Sequence, residues 1–179
     1  MSAGKLAGKR VLMVIPHTQF RDEEFFDPKK ILEAEGAVTV TASSAARTCY
    51  SVRGAVVQSE CAIADAKPDE FDALVLCGGA SVPEFFWKDK KLQDLAAAMS
   101  AAGKLVAAIS LSTVVLAKAK LLAGRKATVY FLPEAIQELK ASGATYVSEP
   151  VVVQDKIITA EGPRESVRFG EAIRAAMSG

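Results

Sequence analysis

Apolar residues along the chain gather in short runs, and the stretches between them are amphipathic. "RVLMVI" (10–15), "AVTVTAS" (37–43), "DALVLCGG" (72–79) and "KLVAAI" (104–109) are too short for helices and predict strands, several apolar enough to be buried on both faces. Between the first two, "RDEEFFDPKKILEAEG" (21–36) predicts a helix. Asp22, Glu23 and Glu24 suit its positive N-terminal end, and Gly36 stops it. Pro28 within it predicts a kink or a late start. Residues 44–60 predict a polar loop and a hairpin that turns at Arg53-Gly54 and returns along "AVVQ". Residues 83–103 read mostly as helix, with Asp89 as a cap before Leu92, Leu95, Ala96 and Met99. Past Gly124, "KATVY" predicts a strand, and residues 132–143 predict a helix opened by Pro133 and stopped by Gly143. "TYV", "PVVVQ" and "KIITA" predict short strands with a tight turn at Asp155-Lys156, and residues 162–177 a closing helix.

Strands that alternate with helices imply a mostly parallel sheet covered on both faces. Ligands bind such sheets at the carboxyl ends of the strands. Three loops therefore share one neighbourhood: those after Ile15, Leu76 and Ile109. The first carries His17 and leads to Glu24, the second carries Cys77-Gly78-Gly79, and the third carries Ser110 to Thr113.

Composition narrows the chemistry. The chain has 179 residues, half of them hydrophobic, and a net charge of +1. The length predicts one domain over 1–179, and the near-zero charge gives no pull toward nucleic acid or an acidic membrane. The apolar run at Val11–Ile15 is too short for a signal peptide or a membrane span, so a cytoplasmic protein is expected. Cys49, Cys61 and Cys77 form no CxxC, and His17 is the one histidine, so neither a disulfide framework nor a multi-histidine metal site is expected. No Walker A or GxGxxG loop is present, and no cofactor is expected. What remains is an acyl-transfer arrangement. A hydroxyl at a strand-to-helix turn could be a nucleophile, with the glycine pair giving backbone N–H donors to an oxyanion.

The residues carry a family resemblance. "FRDEEFFDPKKILEAEGAVTVTAS", "DEFDALVLCGG", "GKLVAAISLSTVVLAKAKLLAGRKAT" and "IITAEGPRESVRFGEAI", in that order, resemble the ThiJ/PfpI superfamily of protein deglycases and PfpI-type intracellular proteases. The resemblance covers nearly the whole chain. It implies a flavodoxin-like three-layer α/β/α sandwich with a small β-hairpin, a homodimer, and a context of stress response and protein quality control. The family's nucleophilic cysteine falls on Ser110, its carboxylate on Glu24, and its backbone donors on Gly78 and Gly79. The position after the elbow, His in the protease-like branch, is Leu111, and a second histidine of the deglycase-like branch falls on Tyr130. The scaffold is kept and the thiol is not.

Each of these residues has a plainer reading. Ser110 could be a helix cap, since no base is evident for a serine nucleophile. Ser112 and Thr113 read as caps or exposed hydroxyls. Glu24 could be one more first-turn acid favoured by the helix dipole. His17 could complete a Ser110–His17–Glu24 set or be a partly solvated loop residue. Cys77 could be a buried small hydrophobe or a displaced thiol beside the pocket. Three functions follow. The first is a divergent, cysteine-independent member that binds a small molecule or protein at the old pocket. The second is a serine-dependent hydrolase with Ser110 as nucleophile and Glu24 or His17 as base. The third is a chaperone-like dimeric scaffold.

Overall fold

A computed structural model describes residues 2–179. The chain runs β1 (Arg10–Val14), β2 (Thr18–Phe20), α1 (Asp22–Ala34), β3 (Val38–Ser43), β4 (Thr48–Ser51), β5 (Val56–Gln58), β6 (Cys61–Ala62), β7 (Ala73–Leu76) and α2 (Val82–Phe85). It continues α3 (Lys90–Ala101), β8 (Leu105–Ile109), α4 (Thr113–Lys118), β9 (Lys126–Ala127), α5 (Pro133–Ala141), β10 (Thr145–Tyr146), β11 (Val151–Gln154), β12 (Ile157–Ala160) and α6 (Ser166–Ser178). The main sheet has the order β11-β12-β8-β7-β1-β3-β6 and is parallel except for the edge strand β11.

Alternation along each central strand divides the core in two. Val11 and Met13 of β1 join Phe20, Phe25 and Leu32 of the β2–α1 segment and Phe169 and Ile173 of α6. Leu12 and Val14 face the other way, toward Leu92 and Met99 of α3 and Val115 and Leu116 of α4. The result is the expected flavodoxin-like, three-layer sandwich with a mostly parallel sheet. The hairpin of β4 and β5 is present too, joined by β2 into a small separate sheet. Among the described residues, no helix is long and apolar enough to cross a membrane.

Two expectations are corrected and one is refined. The helix α1 starts at Asp22 and runs through Pro28 rather than starting after it. The cost is local, because Pro28 has no N–H to give the Glu24 carbonyl. Residues 83–103 are mostly helix, with Asp89 as the expected cap, but they are split into a short turn of helix and a longer one. The break falls at Asp89, whose carboxylate accepts from the Leu92 N–H at 3.1 Å and opens α3. Asp89→Ala is expected to cost about 1 kcal/mol of stability in urea denaturation. "KATVY" is strand only over Lys126–Ala127. Beyond that point the Thr128 N–H donates to Thr159 Oγ1 at 3.1 Å, and the Tyr130 N–H reaches the Ser110 carbonyl at 3.4 Å. The segment is thus drawn over the end of β8 instead of pairing as a strand.

Candidate functional site

The elbow after β8 is real. Ser110 has φ +62°, a left-handed backbone that costs a non-glycine residue about 1–2 kcal/mol. Several bonds hold it there. Its carbonyl accepts from the N–H groups of Thr113 and Tyr130, and the Ser112 hydroxyl donates to the Cys77 carbonyl at the end of β7, 2.6 Å away. That hydroxyl is therefore a strap between two adjacent strand ends. Neither Ser110 nor Ser112 makes a side-chain cap on the following helix. Ser112 and Thr113 are fully buried, so the reading of them as caps or exposed hydroxyls is wrong.

Glu24 sits in the first turn of α1, yet it is only 1% exposed. Its two acidic neighbours are spent elsewhere. Asp22 accepts from the Ser51 hydroxyl at 2.6 Å, and Glu23 pairs with Arg21 at 3.0 Å and Arg53 at 2.7 Å. Glu24 instead lies in line with Pro28 and Leu32 on the buried face. Its carboxyl fills the space over Gly78. A methyl group at Gly78 would lie 2.1 Å from Glu24 Oε2 and 2.8 Å from the Ser110 Cβ, so carboxyl, glycine and elbow are in mutual contact. Burial pushes the Glu24 pKa up to about 8, against smaller downward pulls from the Ser110 hydroxyl, the Gly78 amide and Arg21. Its Oε2 is buried against Gly78, and no group among the described residues meets that oxygen in good hydrogen-bond geometry, so the pulls from Ser110 and Gly78 stay weak beside the effect of burial. At neutral pH the group is mostly a neutral acid that has a proton to donate.

Gly79 closes the floor. Its φ is +151°, and a Cβ there would meet the Gln19 carbonyl at 2.3 Å. The reason is a backbone bridge between Phe20 and Gly79, made by Arg21 N–H to Gly78 O (3.0 Å) and Ala80 N–H to Gln19 O (3.1 Å). Because the flanking residues supply both bonds, the Gly79 N–H points away from the bridge and has no backbone acceptor among the described residues.

Above this floor is a cavity of about 370 Å³. Glu24, Gly79, Ser110, Leu111 and Tyr130 line it, and Gly78 lies directly beneath Glu24. Arg21, Val52, Leu132 and Pro163 line it as well. The sequence reading missed these four and Ala80, which come from the start of α1, the hairpin, the start of α5, the segment before α6 and the loop after β7. His17 is not in the wall. Its ring packs edge-on against Phe85 with centroids 4.4 Å apart, and burial followed by Arg47 holds its pKa below the usual value. The Ser110–His17–Glu24 set is therefore not assembled. Cys77 is fully buried in the core beneath α1 and α6, where burial and the Glu24 carboxyl push its thiol well up. It is a packed hydrophobe, not a displaced thiol. Among the described residues no group of three or more His, Cys, Asp or Glu side chains could share a metal ion.

Known proteins share this arrangement of elements. The chain is 42% identical over 167 residues to an uncharacterized protein of Methanocaldococcus jannaschii, covering 93% of this chain and 82% of that one. A protein of Pyrococcus abyssi named as a deglycase is 32% identical, with 85% of this chain and 90% of that one aligned. The solved structure of a ThiJ/PfpI domain protein from Brachyspira murdochii superposes with a TM-score of 0.90 at 31% identity, over 95% of this chain and 98% of that one. The profile of the DJ-1/PfpI family matches residues 9–176, which takes in β1, the Glu24 turn, the glycine pair and the elbow together. On that match and these relatives, the chain belongs to the DJ-1/PfpI family.

Proposed function

We propose that this protein binds a small molecule in the cavity over Ser110 and does not perform the cysteine chemistry that its family resemblance implies. One observation carries the reading. Among the described residues, Glu24 is the carboxyl packed with Gly78 against the Ser110 elbow, and its burial raises its pKa to about 8. A serine hydroxyl needs a general base to become a nucleophile. Near pH 7 Glu24 carries its own proton and cannot take another, and His17 is turned away onto Phe85. A neutral carboxylic acid beside a hydroxyl is a hydrogen-bonding surface for a ligand.

The same contact supports a second reading at alkaline pH. Once ionised, Glu24 would be an unusually strong carboxylate base beside Ser110, and the pair would make a serine-dependent hydrolase. A fluorophosphonate probe followed by intact mass measurement separates the two. No adduct is expected from pH 6 to pH 9. An adduct that rises through about pH 8 and disappears in Ser110→Ala would establish the hydrolase instead.

A further inference from the structure

Among the described residues the cavity wall contains one cation, Arg21, whose place there neither the elbow nor the glycine floor explains. It stands immediately before α1, three residues ahead of Glu24. Its Nε is held by Glu23 Oε2 at 3.0 Å, and the other Glu23 oxygen is taken by Arg53 at 2.7 Å. One carboxylate is therefore shared between two guanidinium groups. The terminal nitrogens of Arg21 have no hydrogen-bond partner among the described residues. Asp22, the next carboxylate along, is occupied by the Ser51 hydroxyl and the Arg53 N–H.

Two other polar groups at the cavity can donate: the Ser110 hydroxyl, and the Gly79 N–H, which is free of a backbone acceptor. Glu24 lies beside Ser110 with its Oε2 against Gly78, and burial favours its neutral form. Donors gathered around a single guanidinium fit the oxygens of an anion, and the planar fork of arginine suits a carboxylate. Arg21 is the one cation lining the cavity among the described residues, so the wall suits no more than one negative charge. A phosphate dianion would have Arg21 alone to meet it, and that cation is already paired with Glu23. The rest of the wall is apolar: Val52, Leu111, Leu132 and Pro163, with the ring of Tyr130. These side chains offer a hydrocarbon group contact and no hydrogen bonds.

We propose that the cavity binds a monocarboxylate with an apolar tail of about benzyl size. The carboxylate bridges Arg21 and the donors over the elbow, and the tail lies against Val52, Leu111 and Leu132. This rests on the ligand-binding reading of the same cavity and adds the ligand's class.

Titration calorimetry on the full chain tests it, with phenylacetate, its neutral isostere phenylacetamide, and acetate. Phenylacetate should bind roughly tenfold or more tightly than the amide, the range of a charged hydrogen bond. Acetate, which lacks the tail, should also bind more weakly than phenylacetate. Arg21→Gln should bring phenylacetate down to the amide while leaving the amide unchanged. The Arg21 side chain is 35% exposed, so this variant should keep the wild-type melting temperature, which is measured alongside. Equal binding of acid and amide, a preference that survives Arg21→Gln, or no binding of any probe would each overturn the proposal. The fluorophosphonate result judges the broader reading separately, because an adduct on Ser110 would defeat that reading whether or not carboxylates bind.

Discussion

Glu24→Gln is expected to stabilise the folded chain by about 3 kcal/mol at pH 7, a large effect for a change of one atom. Glutamine keeps the shape of the neutral acid and cannot be forced to ionise. The size follows from the two pKa values. The ordinary value is 4.5, and burial against Gly78 and Ser110 raises the folded-state value to about 8. Below pH 4.5 the carboxyl is protonated in both states and contributes nothing to the pH dependence. Between the two values the unfolded chain releases its proton while the folded chain keeps it. The folded state then binds more protons, so stability falls as pH rises, by about 1.4 kcal/mol per pH unit. Above about pH 8 both states are ionised and the loss levels off. Urea denaturation at pH 4, 7 and 9 should therefore show wild type and Glu24→Gln nearly equal at pH 4 and farthest apart at pH 9. A gap that does not change with pH would mean that Glu24 titrates normally. In that case the argument that it is a proton donor at neutral pH fails, and the argument against serine catalysis weakens with it.

That energetic cost marks the site as a place where the fold works against itself. A solvent-exposed acid in the first turn of a helix is favoured by the helix dipole. Asp22 and Glu23 occupy such positions and find partners at the surface. Glu24 is one residue further on and about 100° around the helix, which sends it inward. The pattern was present in the sequence. Glu24, Pro28 and Leu32 are spaced by four, with Phe25 beside them, and an acid in line with a buried stripe is the anomaly to notice. The strands around the site were also legible, because β1, β7 and β8 are continuous apolar runs.

Other parts of the site were not legible, for physical reasons. Arg21, Val52, Leu132 and Pro163 reach one cavity from four separated segments. What gathers them is long-range, including the Phe20–Gly79 bridge and the reach of Tyr130 to the Ser110 carbonyl. No local pattern encodes such pairings. His17 shows the converse error. It does lie just past the end of β1, as expected, but strand position fixes only where a residue is, and the aromatic contact with Phe85 fixes where its ring goes. Residue type alone suggests a cap or an exposed hydroxyl at Ser112. The Cys77 carbonyl lies 2.6 Å from its hydroxyl, and that contact makes it a tie between β7 and β8.

Gly78→Ala should be among the most damaging single-methyl additions in the chain, costing about 3 kcal/mol of stability and removing ligand binding over the elbow. The reason is steric. The added methyl would lie 2.1 Å from Glu24 Oε2 and 2.8 Å from the Ser110 Cβ. The serine cannot give way, since its left-handed backbone is tied at the carbonyl by Thr113 and Tyr130. The glycine cannot give way either, since its carbonyl is bonded to Arg21. The Glu24 side chain is the group left to move, and it is enclosed by the core of α1. A double-mutant cycle identifies the source of the cost. Glu24→Ala removes the carboxyl, so Gly78→Ala added to it should cost less than in the wild type, by about 1–2 kcal/mol of coupling. Additive effects in urea denaturation would place the strain elsewhere, in the turn after β7. The expected coupling has a further meaning for the site. A Cβ at Gly78 would take the space that the Glu24 carboxyl fills beside Ser110, so the glycine is needed there to let a carboxyl reach the elbow.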